Sequence, residues 1–241
     1  DGRVRIGALT THAELAASSE LAERCPALGE AAGLIGDPAV RNRGTIGGNV
    51  AHADPASDLP TVLRALDATI AVTVDDGERS IPAADFFEGM METALGDHDI
   101  VTAIEVPAAG AGQGQAYVKF SHPASRYAVV GAAAAVTLVG GTVGVVAVAL
   151  GGLVPAARRA ASVEEALAGQ APTADAIAAA AAGQGPEGDL RNRVQEILDS
   201  EINPSVASHG GYISLLDVQG TRIFLHMGGG CQGCGMASAT W

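Results

Sequence analysis

Cys231 and Cys234 are separated by two residues in the run GGGCQGCGM near the end of the chain. That spacing lets both sulfurs reach one metal centre, and the flanking glycines leave backbone N–H groups free to donate to sulfur. Several chemistries are open to such a pair. A thioredoxin-like redox pair sits at a helix start after a strand, which CQGCGMASAT imitates, although no βαβ pattern surrounds it. A zinc ion needs two further ligands, for which this region offers only His209 and His226. His209 also reads as the cap of a turn before a strand. An iron–sulfur cluster held by four thiolates would need its other half from elsewhere. The plain alternative is a reactive pair that binds nothing.

A second constellation lies in IGDPAVRNRGTIGGNVAHADPASDLP, from Ile35 to Pro60. Adjacent Gly47 and Gly48 remove side chains that would hold a phosphate away from backbone N–H groups. Thr45 adds a hydroxyl and Asn49 an amide, each able to fix an oxygen, and Asp58 offers a carboxylate to sugar hydroxyls. Taken alone, the glycine pair reads as an ordinary turn. Lys119, taken alone, reads as a surface lysine on a strand.

The 241 residues are enough for two or three small domains, each with its own core. Charged residues are only 17%, and apolar periodicity is widespread, which excludes a disordered chain. Acidic residues outnumber basic ones 27 to 14, for a formal net charge of −13, a field that repels nucleic acid and anionic lipid. Three cysteines, with Cys25 remote from the pair, form no disulfide framework, and a reducing cytoplasm fits them. The chain opens on Asp without a signal peptide, and both ends read as truncations. Tyr127 to Ala157 carries no charge and is long enough to span a bilayer, but glycine pairs and β-branched runs make it buried strands.

The elements follow from pattern. TTHAELAASSELAERC reads as one helix with a Thr11/Glu14 capping box, and Pro26 opens a second. Asp37 to Pro60 reads as a polar loop, and TVLRALDA as a short helix. TIAVTV and its partner meet at an Asp76–Gly77 hairpin, and DIVTAIEVP and QAYVKFS are further strands. SVEEALAG, started by Ser162, and TADAIAAAAAG are helices, and GQGPEGD is a linker. LRNRVQEILDSEI is a helix ended by Asn203–Pro204, and YISLLDV and TRIFLHM form a hairpin around Gln219–Gly220.

Longer strings carry two resemblances. RIGALTTHAEL, CPAL, IGDPAVRNRGTIGGNVAHADPASDLP, FFEGMMETAL, AYVKF and RYAVVG, within residues 1–182, closely resemble the FAD-binding medium subunit of aerobic carbon monoxide dehydrogenase, in the molybdenum hydroxylase superfamily. VQEILDSEINPSVASHGGYISLLDVQGTRIFLHMGGGCQGCGMASAT, within residues 189–241, resembles the C-terminal domain of NifU-family iron–sulfur scaffolds. The first implies an α+β fold, a PCMH-type FAD-binding domain over residues 1–112 without its N-terminal subdomain. A small α/β flavoprotein C-terminal domain follows over 113–182. The second implies, after a linker at 183–188, a small αββα domain over 189–241 whose closing helix is cut at Trp241. The family's earlier A-G-G-x-S loop lies upstream of the first residue here.

Carried over position by position, the first resemblance assigns FAD contacts to Thr45, Ile46, Gly47, Gly48 and Asn49, with Asp58 as the hydroxyl-binding acid. Ile35 packs near the cofactor, Val101 brings its backbone to the flavin, and Lys119 places a cation near the ring. It implies an FAD-dependent oxidoreductase subunit, itself without catalytic residues. Such a subunit takes electrons from a 2Fe–2S small subunit beside a molybdenum-containing large subunit and passes them to an acceptor. The second implies that Cys231 and Cys234 bind a 4Fe–4S cluster shared between two chains of a homodimer and delivered to apo client proteins. The competing reading is a cluster carrier whose flavin-like half is a non-catalytic docking module. Reconstitution with iron and sulfide is therefore expected to give a dimer with about one 4Fe–4S cluster per two chains, each chain supplying two of the usual four thiolates. Replacing either cysteine should abolish it. A monomer holding a full cluster, or a zinc ion closed by His209, would overturn this assignment.

Overall fold

The computed structural model describes residues 2–152, 154–182, 194–207, 210–219 and 222–229. The chain divides into two compact units, Asp1–Thr173 and Ala174–Trp241. In the first, strands β1 (Arg3–Gly7), β2 (Thr69–Val74) and β3 (Gly77–Pro82) are followed by a small ribbon, β4 (Phe87–Gly89) and β5 (Glu92–Thr93), and by β6 (Ile100–Pro107). They form an antiparallel sheet in the order β1-β6-β2-β3, the ribbon standing apart. Alternation of side chains turns Val4 and Ile6, Ile70 and Val72, and Ile104 and Val106 into the core. Helices supply the other side of that core through fully buried Leu15, Leu28, Ile46, Leu59 and Leu63.

Two local differences from the sequence pattern have clear causes. The first expected helix is two, α1 (His12–Ala17) and α2 (Ser19–Arg24), because Ser18 adopts an extended backbone and its hydroxyl accepts from the Leu21 N–H at 3.2 Å. A serine that caps the second helix ends the first. After α3 (Pro26–Leu34), the expected polar loop instead contains α4 (Pro38–Arg41) and α5 (Ile46–His52), and α6 (Asp58–Ala65) starts three residues before the expected helix. Asp37 caps α4 by accepting from Val40 at 2.9 Å, and Thr45 caps α5 by accepting from Gly48 at 3.1 Å.

A short helix α7 (Ala83–Phe86) precedes the ribbon. Beyond β6, strands β7 (Gln113–Ser121), β8 (Ala128–Val139), β9 (Thr142–Gly151) and β10 (Arg158–Arg159) make an antiparallel meander in the order β10-β9-β8-β7. The uncharged stretch is thus sheet, turned between β8 and β9 by Gly140 and Gly141 with φ of 61° and 88°. Both angles are positive, the condition a two-residue hairpin turn imposes and glycine meets without strain. No helix among the described residues is long and apolar enough to cross a membrane. Helix α8 (Ala161–Leu167) begins one residue before the expected Ser162, with Ala160 at its cap. Helix α6 packs on α3 and on β8 and β9, so it is shared by the helical layer and the meander.

The second unit holds α9 (Ala174–Ala182), a π-helical turn at Leu198–Ile202, α10 (Asn203–Ala207) and a hairpin of β11 (Gly211–Gln219) and β12 (Arg222–Gly229). Asn203–Pro204 was expected to end a helix. Instead Asn203 keeps helical angles and Pro204 sits in the first turn of α10, where its missing N–H costs nothing. The Asn203 amide bonds both backbone groups of Ile213, at 2.8 and 2.7 Å, which ties this turn to β11.

Close packing of α5 yields a direct test. A Cβ on Gly47 would fall 2.5 Å from the Cβ of Ala8 and 2.7 Å from its carbonyl oxygen. Gly47→Ala is therefore expected to cost about 1–3 kcal/mol in urea denaturation. Gly48→Ala, whose Cβ would meet only the Thr45 hydroxyl at 3.1 Å, should cost less. Equal losses at both positions would contradict this account of the glycine pair.

Candidate functional site

Asp58 opens α6 with its carboxylate sealed from solvent, and a buried charge is tolerated only when paired. The Tyr117 hydroxyl donates to its Oδ1 at 2.6 Å, and the Lys119 ammonium to its Oδ2 at 2.9 Å. Tyr117 and Lys119 alternate along β7, so both point toward α6. Lys119 is buried as well, and it donates to the carbonyls of Leu34 and Arg126, each at 2.9 Å. All three ammonium protons are thereby placed. Burial first, then the Asp58 charge, pushes the Tyr117 phenol far above its ordinary value, so it remains a donor. A Cβ on Gly131 would lie 2.4 Å from the Tyr117 hydroxyl, so only glycine leaves room for this contact.

Beside this cluster opens a cleft of about 500 Å³, lined among others by His12, Ile35, Arg43, Thr45, Gly48, Asn49, Asp58, Arg126 and Tyr127. Arg126 has φ of 60°, uncommon for a side-chain-bearing residue, at the tip joining β7 to β8. That tip is braced by the His122 Nδ1, which accepts from the N–H groups of Ala124 and Ser125. Asn49 donates to the Ser57 hydroxyl at 2.6 Å, while its own Oδ1 is buried without a partner. His12 is 3% exposed, and its Nδ1 is likewise buried without a partner. Burial lowers the pKa of His12 against the opposing pull of Asp58, and the ring is neutral at pH 7.

Of the nine residues expected to contact a cofactor, Ile35, Thr45, Gly48, Asn49 and Asp58 line the cleft. The other four do not. Ile46 is buried in the core, and Val101 pairs with Val72 in the sheet and packs on that core. Lys119 lies behind Asp58 as its counter-ion, neither exposed on a strand nor at the cleft surface.

The glycine pair also works differently from the expectation of free N–H groups. The Ile46 N–H donates to the Thr10 carbonyl at 2.9 Å and that of Gly47 to the Ala8 carbonyl at 2.8 Å. Gly48 donates to Thr45 Oγ1 and Asn49 to the Thr45 carbonyl. Every backbone donor of the segment has a partner inside the fold, so the cleft offers side chains. Sequence reasoning missed His12, Arg43, Arg126 and Tyr127. The motifs containing them were visible, but nothing local marks their convergence. Cys231, Cys234 and His209 lie outside the described residues. His226 is exposed on β12, its ring 6.0 Å from that of Tyr212.

Family comparisons match three segments of the chain. Residues 1–109 match the FAD binding domain in molybdopterin dehydrogenase, 115–204 the CO dehydrogenase flavoprotein C-terminal domain, and 194–241 the NifU-like domain. The carbon monoxide dehydrogenase medium chain of Hydrogenophaga pseudoflava is 39% identical over 178 residues, covering 74% of this chain and 62% of that one. The chain thus spans less than two thirds of that relative. The reconstituted CO dehydrogenase from Oligotropha carboxidovorans superposes with a TM-score of 0.71 at 32% identity, covering 80% of this chain and 71% of that one. The Fe/S biogenesis protein NfuA of Pseudomonas aeruginosa is 52% identical over 52 residues, 21% of this chain and 27% of that protein. The chain therefore belongs to the family of FAD-binding medium subunits of molybdenum hydroxylases, and it carries a NifU-like domain over residues 194–241.

Proposed function

We propose that this chain binds FAD in the cleft beside Asp58 and serves as the electron-transferring flavoprotein part of a molybdenum hydroxylase-type assembly. Electrons would arrive from iron–sulfur centres of a partner subunit and leave to an external acceptor. The NifU-like domain would hold a 4Fe–4S cluster between two copies of the chain, through Cys231 and Cys234, and pass it to apo-proteins. The domain division 1–112, 113–182 and 189–241 belongs to the same proposal.

One observation carries the cofactor assignment. In a chain of net charge −13, the cleft gathers Arg43 and Arg126, while its carboxylate, Asp58, is already neutralised by Lys119. An anionic ligand fits that field. The unpartnered Nδ1 of His12 and Oδ1 of Asn49 fit a ligand that also carries hydrogen-bonding groups. FAD, when bound, supplies reversible uptake of one or two electrons. The residues here hold and orient it. The guanidiniums of Arg43 and Arg126 meet phosphate charge, and Asn49 and Thr45 fix oxygens. Each Asp58 oxygen keeps a second lone pair, able to accept from a ligand hydroxyl in addition to the Tyr117 hydroxyl and the Lys119 ammonium. Lys119 acts on the cofactor only through Asp58.

Titration of the full chain with FAD, followed by quenching of flavin fluorescence, is expected to saturate near one flavin per chain. Arg43→Ala should weaken binding on the order of tenfold, the loss of a charge-assisted bond, and leave stability unchanged because Arg43 is exposed. A chain that never saturates would favour the carrier reading, with a docking module in place of a flavin site. Lys119→Met should behave oppositely to Arg43→Ala. It strands a buried carboxylate and is expected to cost about 3–5 kcal/mol in denaturant unfolding, most of which Asp58→Asn in the same chain should restore. An unchanged midpoint for Lys119→Met would remove the ion pair from the account.

A further inference from the structure

His12 is built into the cleft wall with its Nδ1 unspent. Its backbone is fixed twice over. The His12 N–H donates to the Gly44 carbonyl at 2.9 Å, and the preceding Thr11 forms a β-bridge with Thr45 and a reciprocal cap with Glu14. The ring lies against Gly44, where a Cβ would fall 2.8 Å from its Cδ2 and Nε2. Space has thus been cleared for an imidazole at this spot. Yet the residue is 3% exposed and its Nδ1 has no partner, a cost that a well-packed fold ordinarily avoids. Were the ring only filling space, an apolar side chain would fill it without that cost.

The neighbours limit what the ring can serve. Arg43 and Arg126 already provide the cationic groups of the cleft, and Asp58, paired with Lys119 and Tyr117, can only accept. Burial keeps the imidazole neutral, so it offers one donor and one acceptor and no charge. Such a group suits an uncharged hydroxyl or ring amide better than a phosphate. We propose that His12 is a cofactor-binding residue that hydrogen-bonds an uncharged polar group of the nucleotide held in this cleft. The inference rests on the FAD reading above and adds to it a residue outside the glycine-pair segment.

The test compares the full chain with His12→Leu and His12→Gln by apo thermal melting and by titration with FAD and with ADP. His12→Leu is expected to leave the apo melting temperature unchanged or raised, because it removes a buried unpaired group, while weakening FAD by about tenfold. His12→Gln, which keeps a donor and an acceptor, should stay within about threefold of the parent. If ADP weakens in parallel, the partner group lies on the adenosine side. If only FAD weakens, it lies on the flavin and ribityl side. A His12→Leu chain that melts lower and binds FAD like the parent would overturn the proposal and make His12 structural. A parent chain that binds no FAD would instead overturn the reading of the cleft itself, and this inference with it.

Discussion

The Asp58 carboxylate, buried with Lys119 as its counter-ion, is the constraint from which the rest of the first unit follows. A paired buried charge adds little net stability, but an unpaired one is very costly, so the pair dictates position more than it strengthens the fold. Lys119 also gathers the carbonyls of Leu34 and Arg126. These belong to the end of α3 and to the tip joining β7 and β8, the two segments that continue into Ile35 and Tyr127 at the cleft. One ammonium thus fixes three walls of the cleft relative to one another. Gly131 is a dependent part of the arrangement, vacated so that Tyr117 can reach the same carboxylate.

Acidity of the whole chain and cationic character of the cleft are complementary. The chain carries a net charge of −13, yet Arg43 and Arg126 both line the cleft where Asp58 is paired with Lys119. The cleft can then attract a small anion without a basic surface. This division of labour depends on burying Lys119, since an exposed lysine there would leave the Asp58 charge facing the ligand.

How much of this was legible depends on the range of each signal. The Thr11/Glu14 cap, the glycine turn at Gly140–Gly141 and the strand character of the uncharged stretch are local, and each is present as read. Gly47 is legible as special, but its cause is not. The reason for Gly47 is Ala8, remote in sequence, and only the folded chain brings its carbonyl to that N–H. Lys119 is ambiguous in sequence for a similar reason, because period-two alternation puts it on the face of Tyr117 while its charge argues for solvent. Only a partner on another helix decides between them. Ser18 and Pro204 show propensity overruled within one turn, by a competing cap and by a tolerated first-turn position. His12 sat inside a recognised motif, but burial leaves no mark in neighbouring residues.

The segment from Ile46 to Asn49 spends all its backbone donors inside the fold, on Thr10, Ala8 and Thr45. A main chain so committed cannot be retuned by substitution, because no side-chain change alters where an N–H points. Discrimination among ligands therefore falls to Arg43, Asn49, His12 and Arg126. Of these, Arg43 is exposed, so its exchange touches least of the scaffold beneath. Selectivity in this cleft is thus a matter of side chains alone, while the main chain beneath them serves the architecture.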